Sequence, residues 1–355
     1  MIGRLPGAVA IVITACVAAT AARAQAPVIV DTHVHVDGRL ERRDVNWAGA
    51  ARIAVDRMNE AGVRLSLVLP PPQPPGFLMP WECDDYASAL QAFPGRFASI
   101  CGGGTINPLI YESAGRPVLD AATAQRLEAL VAGFASRGAV AIGELTAQHF
   151  AFNSRHPYMG MAPDHPVLLK LADLAARYRL PLVVHMEAVR GSFDMPEGLR
   201  RASGQNPARI DDNLAAFERL LAHNRGATIV WAHFGWDNSG QRNGRLMKEL
   251  FDRHANLYAD IKLQPGSPSA RFVFDDRGAP RAEFIAAVEA GGNRYMVGSD
   301  AFYAVRPVPA EREVDRLAAV TRTLLDRLRP DTRRLVASET AATVYRLRER
   351  GLLQP

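Results

Sequence analysis

Two histidines are separated by one residue near the start of the chain, in the run Val30-Asp31-Thr32-His33-Val34-His35. If this run forms a β-strand, alternate side chains point to opposite faces, so His33 and His35 share one face. Two imidazoles placed in this way suit a divalent cation of intermediate softness such as Zn²⁺. Two hydrogen-bonded histidines without a metal give the same pattern, so further ligands are needed to distinguish the two interpretations.

Four more candidate ligands occur along the chain, each directly after a short apolar run. They are Glu144, His185, His233 and Asp300. Taken singly, each has an ordinary alternative: an acid pairs with an arginine or caps a helix, and a histidine is hydrogen-bonded within the core. Their shared position at the ends of apolar runs favours a joint role instead.

Eight such runs recur between helix-like stretches, and their starts are 29 to 46 residues apart. The runs cover residues 28–33, 65–69, 97–101, 139–145, 182–185, 228–232, 257–261 and 295–298. Segments between them, such as 166–178 and 213–223, carry apolar residues at helical spacing. This alternation predicts an α/β fold with parallel strands, and eight repeats favour a single (β/α)8 TIM barrel over a doubly wound sheet. In a barrel the carboxyl ends of the strands meet on one face, which would gather the candidate ligands.

The ordered set of six ligands resembles the metal site of the amidohydrolase superfamily, and most closely its amidohydrolase-related (family 2) branch. The similarity also involves the segments 93–97, 143–145 and 232–235 and extends over residues 28–347. An asparagine often found near the C-terminal helix is absent, and the run Ser338-Glu339-Thr340 occupies that region. Because the branch also contains decarboxylases, lactonases and hydratases, the resemblance does not specify a substrate.

The resemblance implies one or two divalent cations, with Zn²⁺ expected first and Mn²⁺ or Fe²⁺ as alternatives. It implies that four residues hold one ion: His33, His35, His185 and Asp300. Glu144 would bridge to a second ion beside His233. A cation there would lower the pKa of its water from about 15.7 towards about 7, and Asp300 would act as general base and then acid. With a single ion, His233 would instead polarise the substrate carbonyl.

The first functional hypothesis is therefore a metal-dependent hydrolase that acts on an ester, lactone or amide bond of a small molecule. A metal-dependent non-oxidative decarboxylase or hydratase of the same fold is the alternative. A non-catalytic periplasmic metal- or solute-binding protein is a second alternative, although such proteins have two lobes and a hinge. Candidate substrate-binding residues are Glu187, Trp236, Lys262 and Tyr303. Asp260, at the end of the seventh run, is a weaker candidate for the site, and an ordinary position on the barrel rim is its alternative.

The N-terminus has the pattern of a cleaved signal peptide over residues 1–24. Arg4 precedes an apolar run, and Ala22-Arg23-Ala24 offers small residues at the cleavage positions. A periplasmic or secreted domain of residues 25–355 is thus expected, without a transmembrane segment. A lipoprotein anchored through Cys16 and a retained membrane anchor are the alternatives. Loss of two arginines would reduce the net charge from +5 to +3, and the remaining charges are dispersed, which does not favour nucleic-acid binding. Oligomeric state is not indicated.

Two further features bear on the region after the second and third strands. The proline-rich run 70–76 predicts a stiff loop on the face of the barrel that carries the ligands. Cys83 and Cys101 would be able to pair in an oxidising compartment. The apolar run 97–101 instead favours a buried free thiol at Cys101, and the sequence leaves both states open.

Overall fold

The computed structural model describes residues 27–40, 44–152, 157–265, 267–306 and 311–354. The expected signal peptide, with Arg4, Cys16 and the cleavage position after Ala24, lies outside the described residues. Within those residues, no helix has both the length and the apolar character needed to cross a bilayer. Export of the protein stays a prediction from the sequence.

A parallel β-sheet of nine strands forms the centre of the fold. In chain order the strands are β1 (Ile29–Asp37), β2 (Val63–Val68), β3 (Phe97–Gly102), β4 (Ala141–Thr146), β5 (Leu182–His185), β6 (Ile229–Phe234), β7 (Leu257–Ile261), β8 (Tyr295–Val297) and β9 (Ala301–Ala304). Their order across the sheet is β8-β7-β6-β5-β4-β3-β2-β1-β9. All eight apolar runs of the sequence are strands, so the α/β class is confirmed. β9 is an additional strand that pairs with the second half of β1.

Helices connect the strands. In the described residues they are α1 (Trp47–Ala61), α2 (Cys83–Gln91), α3 (Ile106–Ser113), α4 (Ala121–Ser136), α5 (Pro166–Tyr178), α6 (Glu197–Ala202), α7 (Leu214–His223), α8 (Gly244–Arg253), α9 (Ala282–Gly291), α10 (Glu311–Arg327), α11 (Pro330–Arg334) and α12 (Thr340–Val344). Helix α1 begins and ends at residues of types that commonly cap helices. The Asn46 side chain accepts a hydrogen bond from the Gly49 amide, and Gly62 ends the helix with a φ of 71°.

Apolar side chains are buried on both faces of the sheet, as expected for parallel strands. One cluster packs the strands against the helices and includes Val34, Ile142 and Val184. A second cluster lies on the opposite face and takes side chains from seven of the nine strands. It includes Val30, Leu65, Ile100, Ala141, Val183, Val230 and Met296, together with Tyr345 and Leu347 from the C-terminal segment.

The first and eighth strands lie next to each other without forming a ladder among the described residues. The Thr32 hydroxyl donates to the Val297 carbonyl at 2.8 Å. The Asp300 amide donates to the His33 carbonyl at 2.8 Å. These bonds bring the turn after β8 directly against β1, which positions Asp300 beside the two histidines of that strand.

Cys83 and Cys101 form a disulfide, with their Cα atoms 5.2 Å apart. The interpretation that favoured a free thiol at Cys101 was therefore wrong. Cys101 is buried on β3, as expected, but the first residue of α2 lies directly beside it. An apolar strand position does not prevent pairing when a neighbouring helix supplies the second cysteine. The disulfide attaches α2 to β3.

Candidate metal centre

The six predicted ligands lie close together at one end of the sheet. His33 and His35 belong to β1, Glu144 to β4, His185 to β5 and His233 to β6, and Asp300 follows β8 directly. Parallel strands have their carboxyl ends on the same side, so residues more than 200 positions apart in sequence become neighbours. All six side chains have little or no exposure, the largest being 12% for His185 and for Asp300.

His33 and His35 share a face of β1, as the alternation of strand side chains requires, and their ring centroids are 5.2 Å apart. His33 Nδ1 lies 3.0 Å from Asp260 Oδ2, and His35 Nδ1 lies 2.8 Å from the Leu69 carbonyl oxygen. Both rings are thus held through Nδ1 and present Nε2 to the centre of the site. β1 continues to Asp37, so the pair lies within the strand rather than at the predicted end at residue 33.

Glu144 stands between two pairs of histidines. Its Oε1 lies 2.7 Å from His185 Nδ1 and 3.1 Å from His233 Nε2. Its Oε2 lies 3.4 Å from His33 Nε2 and 3.7 Å from His35 Nε2. His185 therefore groups with His233 on one side of the carboxylate. This division differs from the one that the family resemblance implied, in which His185 joined the histidines of β1.

The Asp300 carboxylate contacts a histidine of β1 through one oxygen and the Lys262 ammonium through the other. Its Oδ1 lies 2.9 Å from His35 Nε2, and its Oδ2 lies 2.5 Å from Lys262 Nζ. The same ammonium group lies 4.0 Å from the centre of the Trp236 ring. Asp300 and His233 have φ angles of 56° and 69°, a left-handed conformation that side chains other than glycine seldom adopt. Such residues persist where surrounding contacts hold them, and they concentrate at functional sites.

The charges of these groups determine one another's pKa. Burial alone would lower the pKa of His33, but the neighbouring carboxylates of Glu144 and Asp260 raise it well above its ordinary value. Burial opposes ionisation of Glu144, yet His33 and the hydrogen bonds from the other histidines hold its pKa well below the usual range. Burial likewise opposes ionisation of Asp300, but the Lys262 ammonium keeps the pKa of that carboxyl well below its usual value. Burial lowers the pKa of His233 to about 4, so this ring is neutral at physiological pH.

The donor atoms fit a divalent cation. Three sets drawn from the six candidate ligands each place their ligand atoms within 4.8 Å of one another, and one of them combines His33, His35 and Glu144. His33 Nε2 is buried and lacks a hydrogen-bond partner within the described residues, although it faces two carboxylates. Separations of 3.4 to 3.8 Å are too long for hydrogen bonds but suit ligands of a shared ion. Such ligands lie about 2.0–2.2 Å from the ion.

A cavity of about 1340 Å³ opens above these side chains. Five of the six ligands border it, His33 being the exception because it lies beneath. The walls are rich in aromatic rings: Phe77, Trp81, Phe152, Trp236, Phe272 and Phe302. Arg39, Lys262 and Arg271 contribute positive charge. Pro71 and Pro72 also border the cavity, so the proline-rich loop is on the face of the fold that carries the ligands.

Two of the four candidate substrate-binding residues, Trp236 and Lys262, line this cavity. Tyr303 does not, and it lies beside Asp31 at a much smaller cavity. Phe302 takes the predicted position because adjacent strand residues point in opposite directions. Glu187 was also predicted to bind the substrate, and the structure places it elsewhere. Its buried carboxylate accepts hydrogen bonds from the backbone and side-chain nitrogens of Asn238 and does not border the cavity.

Sequence reasoning missed Arg242 and His149 at this site and gave Asp260 too little weight. Asp260 is fully buried, with Oδ2 at His33 Nδ1 and Oδ1 accepting the His233 amide at 2.6 Å. Its position near the carboxyl end of β7, where parallel strands bring site residues together, was a signal for this placement. The buried Arg242 guanidinium donates to the carbonyls of Trp231 and Ala232, and no sequence pattern pointed to it. The His149 ring borders the cavity with its centroid 4.6 Å from that of His185.

No family model matches the chain, and no curated protein matches it either. A crystal structure of an amidohydrolase II superposes with a TM-score of 0.50 at 12% identity, covering 90% of this chain and 99% of that one. A 2,6-dihydroxybenzoate decarboxylase in complex with 2,6-dihydroxybenzoate gives a TM-score of 0.51 at 13% identity, covering 91% and 100%. At these identities the likeness shows a shared fold and leaves the activity of this chain open.

Proposed function

We propose that this chain is a metal-dependent hydrolase of the amidohydrolase superfamily, which acts on an ester, lactone or amide bond of a small molecule. Two observations support the proposal. The fold is shared with an amidohydrolase structure over nearly the full length of both chains. All six ligands expected from the sequence lie within one cluster at the floor of a large cavity.

We further propose that the sheet closes into a (β/α)8 barrel between β8 and β1. The hydrogen bond from Thr32 to the Val297 carbonyl supports this closure. So does the second apolar cluster, because side chains from strands along the whole sheet contact one another within it. An open, flat sheet would not bring the side chains of Val30 and Val183 into one cluster with those of Met296.

The arrangement of Glu144 is the observation that carries the proposed chemistry. One carboxylate oxygen faces His185 and His233, and the other faces the histidines of β1. A carboxylate with a ligand set on each side is suited to bridge two cations. The first cation would be held by His33, His35, Asp300 and Glu144 Oε2, and the second by His185, His233 and Glu144 Oε1. Nitrogen and carboxylate donors suit Zn²⁺, and Mn²⁺ or Fe²⁺ would also be accepted.

A divalent cation in this position supplies a hydroxide nucleophile at neutral pH, because it lowers the pKa of bound water to about 7. The chain's own residues provide the remaining functions. The Asp300 carboxylate would take a proton from the nucleophilic water and would return it to the leaving group. Lys262 orients this carboxylate through Oδ2 and, together with Trp236, offers a binding surface for the substrate. Neutral His233 is available as a ligand because burial keeps its pKa low.

The cavity wall favours one second candidate, the non-oxidative decarboxylation or hydration of an aromatic acid. Aromatic rings such as Phe302 and Phe272 stand beside Lys262 and Arg271 at the cavity. Rings and cations together suit a ligand that has both a planar ring and a carboxylate. The fold likeness to a decarboxylase is consistent with this alternative. A bridging carboxylate, which serves two ions, favours hydrolysis.

A substrate panel run on the metal-loaded protein separates these candidates. Aryl esters, lactones, N-acyl amino acids and hydroxybenzoates would be supplied in ¹⁸O-labelled water, with the His33→Asn and Asp300→Asn variants as controls. Hydrolysis is expected, with one ¹⁸O atom in the acid product and loss of turnover in both variants. Release of CO₂ without ¹⁸O incorporation would favour the decarboxylase. Metal binding without turnover of any substrate would contradict an enzymatic role and favour the solute-binding alternative.

We also propose that the protein is exported and cleaved after Ala24. The disulfide between Cys83 and Cys101 is consistent with an oxidising compartment such as the periplasm. N-terminal sequencing of the mature protein is expected to begin at Gln25. A lipid-modified N-terminal Cys16 would support the lipoprotein alternative instead.

A further inference from the structure

Asp260, the fourth residue of β7, contacts two of the six ligands at once. Its Oδ2 lies 3.0 Å from His33 Nδ1, and its Oδ1 lies 2.6 Å from the backbone nitrogen of His233. We propose that Asp260 is a positioning residue that sets the ring tautomer of His33 and the backbone orientation of His233 for metal binding. This inference rests on the metal centre proposed above.

The hydrogen-bond polarity of these contacts requires a carboxylate. The His233 amide is a donor, so Oδ1 must accept from it. The His33 ring nitrogen that faces Oδ2 must also carry its hydrogen, because a carboxylate has none to offer. In the neutral ring, His33 Nε2 then carries the lone pair that a metal ligand needs, on the side that faces Glu144 and Asp300. An asparagine that accepts from the His233 amide would turn its NH2 group towards His33 Nδ1, and the ring hydrogen would then lie on Nε2.

The second contact acts on the backbone of His233. This residue has a φ of 69°, which is unfavourable for a histidine unless its surroundings hold it. Asp260 binds the His233 amide from one side of the strand end. Arg242 binds the two carbonyls that precede it, those of Trp231 and Ala232. The left-handed turn that directs the His233 ring towards Glu144 is thus held by charged groups on both sides.

The absence of a side chain at Gly298 leaves room for the Asp260 side chain. Gly298 follows β8, the neighbouring strand, and a Cβ atom on it would lie 2.5 Å from Asp260 Cβ. That separation is far below van der Waals contact, so any larger residue at 298 would displace Asp260. Burying a carboxylate is costly unless its oxygens are hydrogen-bonded. Here the bonds that offset this cost go to the ligands of the site.

Zinc affinity of the Asp260→Asn variant provides the main test. Competition with a chromophoric chelator is expected to show zinc bound about 10- to 100-fold more weakly than in the wild type, the usual effect of losing a ligand's hydrogen-bond partner. Glu82→Gln is the matched control. Glu82 is a buried carboxylate that accepts hydrogen bonds from the Cys83 and Gly102 amides and contacts none of the ligands. Its variant should keep the zinc affinity of the wild type.

Two further measurements keep the inference testable if Asp260→Asn folds poorly. Gly298→Ala retains the carboxylate but displaces it, and should weaken zinc binding in the same direction. In the metal-free wild type at alkaline pH, long-range ¹H–¹⁵N spectra should show His33 with hydrogen on Nδ1 and a bare Nε2. A resonance that disappears in His33→Asn assigns the ring.

The outcomes separate this inference from the proposed function. Wild-type zinc affinity in folded Asp260→Asn, or hydrogen on Nε2 of His33, would overturn the positioning role while leaving the metal centre intact. A wild type that binds no divalent cation would overturn the metal centre. The His33 tautomer would then still decide whether Asp260 sets it.

Discussion

Lys262 Nζ lies 2.5 Å from Asp300 Oδ2, on the side of the carboxylate that faces away from His35. Asp300 therefore has one oxygen for the ligand cluster and one for a fixed cation. The Lys262 ammonium is the largest influence that holds the pKa of Asp300 down against burial. Asp300 lies just after β8 and Lys262 just after β7, so this contact joins the ends of two neighbouring strands. It also predicts how activity depends on pH.

Replacing Lys262 with methionine should move the loss of activity to higher pH. Asp300 must be ionised to act as ligand and base, and activity is lost as pH falls through its pKa. Without the ammonium that pKa rises, so the acid limb of kcat/KM should shift to higher pH. Lys262→Arg keeps the charge and should retain most of the wild-type profile. Superimposable acid limbs in wild type and Lys262→Met would contradict this role.

Glu144→Gln should reduce the number of bound metal ions. The amide keeps one oxygen but removes the negative charge that faces histidines on both sides. Elemental analysis of the purified proteins should give two equivalents in the wild type and one or fewer in the variant. Glu187→Gln is the control, since its buried carboxylate bonds to Asn238 and contacts no ligand. Two tightly bound ions in Glu144→Gln would show that Glu144 does not bridge.

Metal binding should release a proton and strengthen with pH. In the metal-free protein, the carboxylates of Glu144 and Asp260 outweigh burial and raise the pKa of His33 well above 6.5. A cation must displace that proton from the ring, so zinc affinity should increase up to tenfold per pH unit until this pKa is reached. Titration calorimetry in buffers of different ionisation enthalpy measures the release directly. Zinc affinity that stays constant between pH 6 and pH 8, without proton release, would argue against this coupling.

Removal of the disulfide should lower stability without removing the metal. Cys83 and Cys101 are 18 positions apart, and cross-linking a loop of this size contributes about 3 kcal/mol. The Cys83→Ser/Cys101→Ser variant should therefore unfold at a lower temperature than the wild type and lose its sensitivity to reductant. Its metal content should be unchanged, because neither cysteine contacts a ligand. A wild type whose unfolding midpoint is unaffected by reductant would indicate that the disulfide adds little.

The repeating architecture was predictable because parallel strands buried on both faces leave a clear mark in sequence. Each of the eight apolar runs became a strand, and helix α5 covers the predicted residues 166–178. β9 was missed because four residues directly after a candidate ligand look like a loop. Its pairing with the second half of β1 depends on the turn at Asp300, which sequence periodicity does not reveal.

The gathering of the six candidate ligands was predictable for a related reason, since they lie at or near the ends of apolar runs. The roles of the residues that follow the strand ends were harder to predict from the sequence. Tyr303 was predicted to bind the substrate, but Phe302 lines the cavity, because neighbouring residues of β9 face opposite sides of the strand. The division of histidines around Glu144 depends on distances of a few ångströms between strands, and no spacing along the chain encodes it.

Asp260 illustrates a different limit. A carboxylate at the end of a strand has the same appearance in sequence whether it faces solvent or lies buried beneath two ligands. In the structure, the lack of a side chain at Gly298, directly after the neighbouring strand, leaves the space that the buried Asp260 fills. The sequence therefore identified candidate metal ligands more readily than the residues that hold those ligands in place.

The most direct test of the central claim is an anomalous difference map from zinc-soaked crystals, recorded at the zinc absorption edge. Two peaks are expected, about 3.5–4 Å apart. One should lie between Glu144 Oε2 and the histidines of β1, and the other between Glu144 Oε1, His185 and His233. Absence of both peaks, or peaks remote from Glu144, would contradict the proposed metal centre and the hydrolytic function built on it.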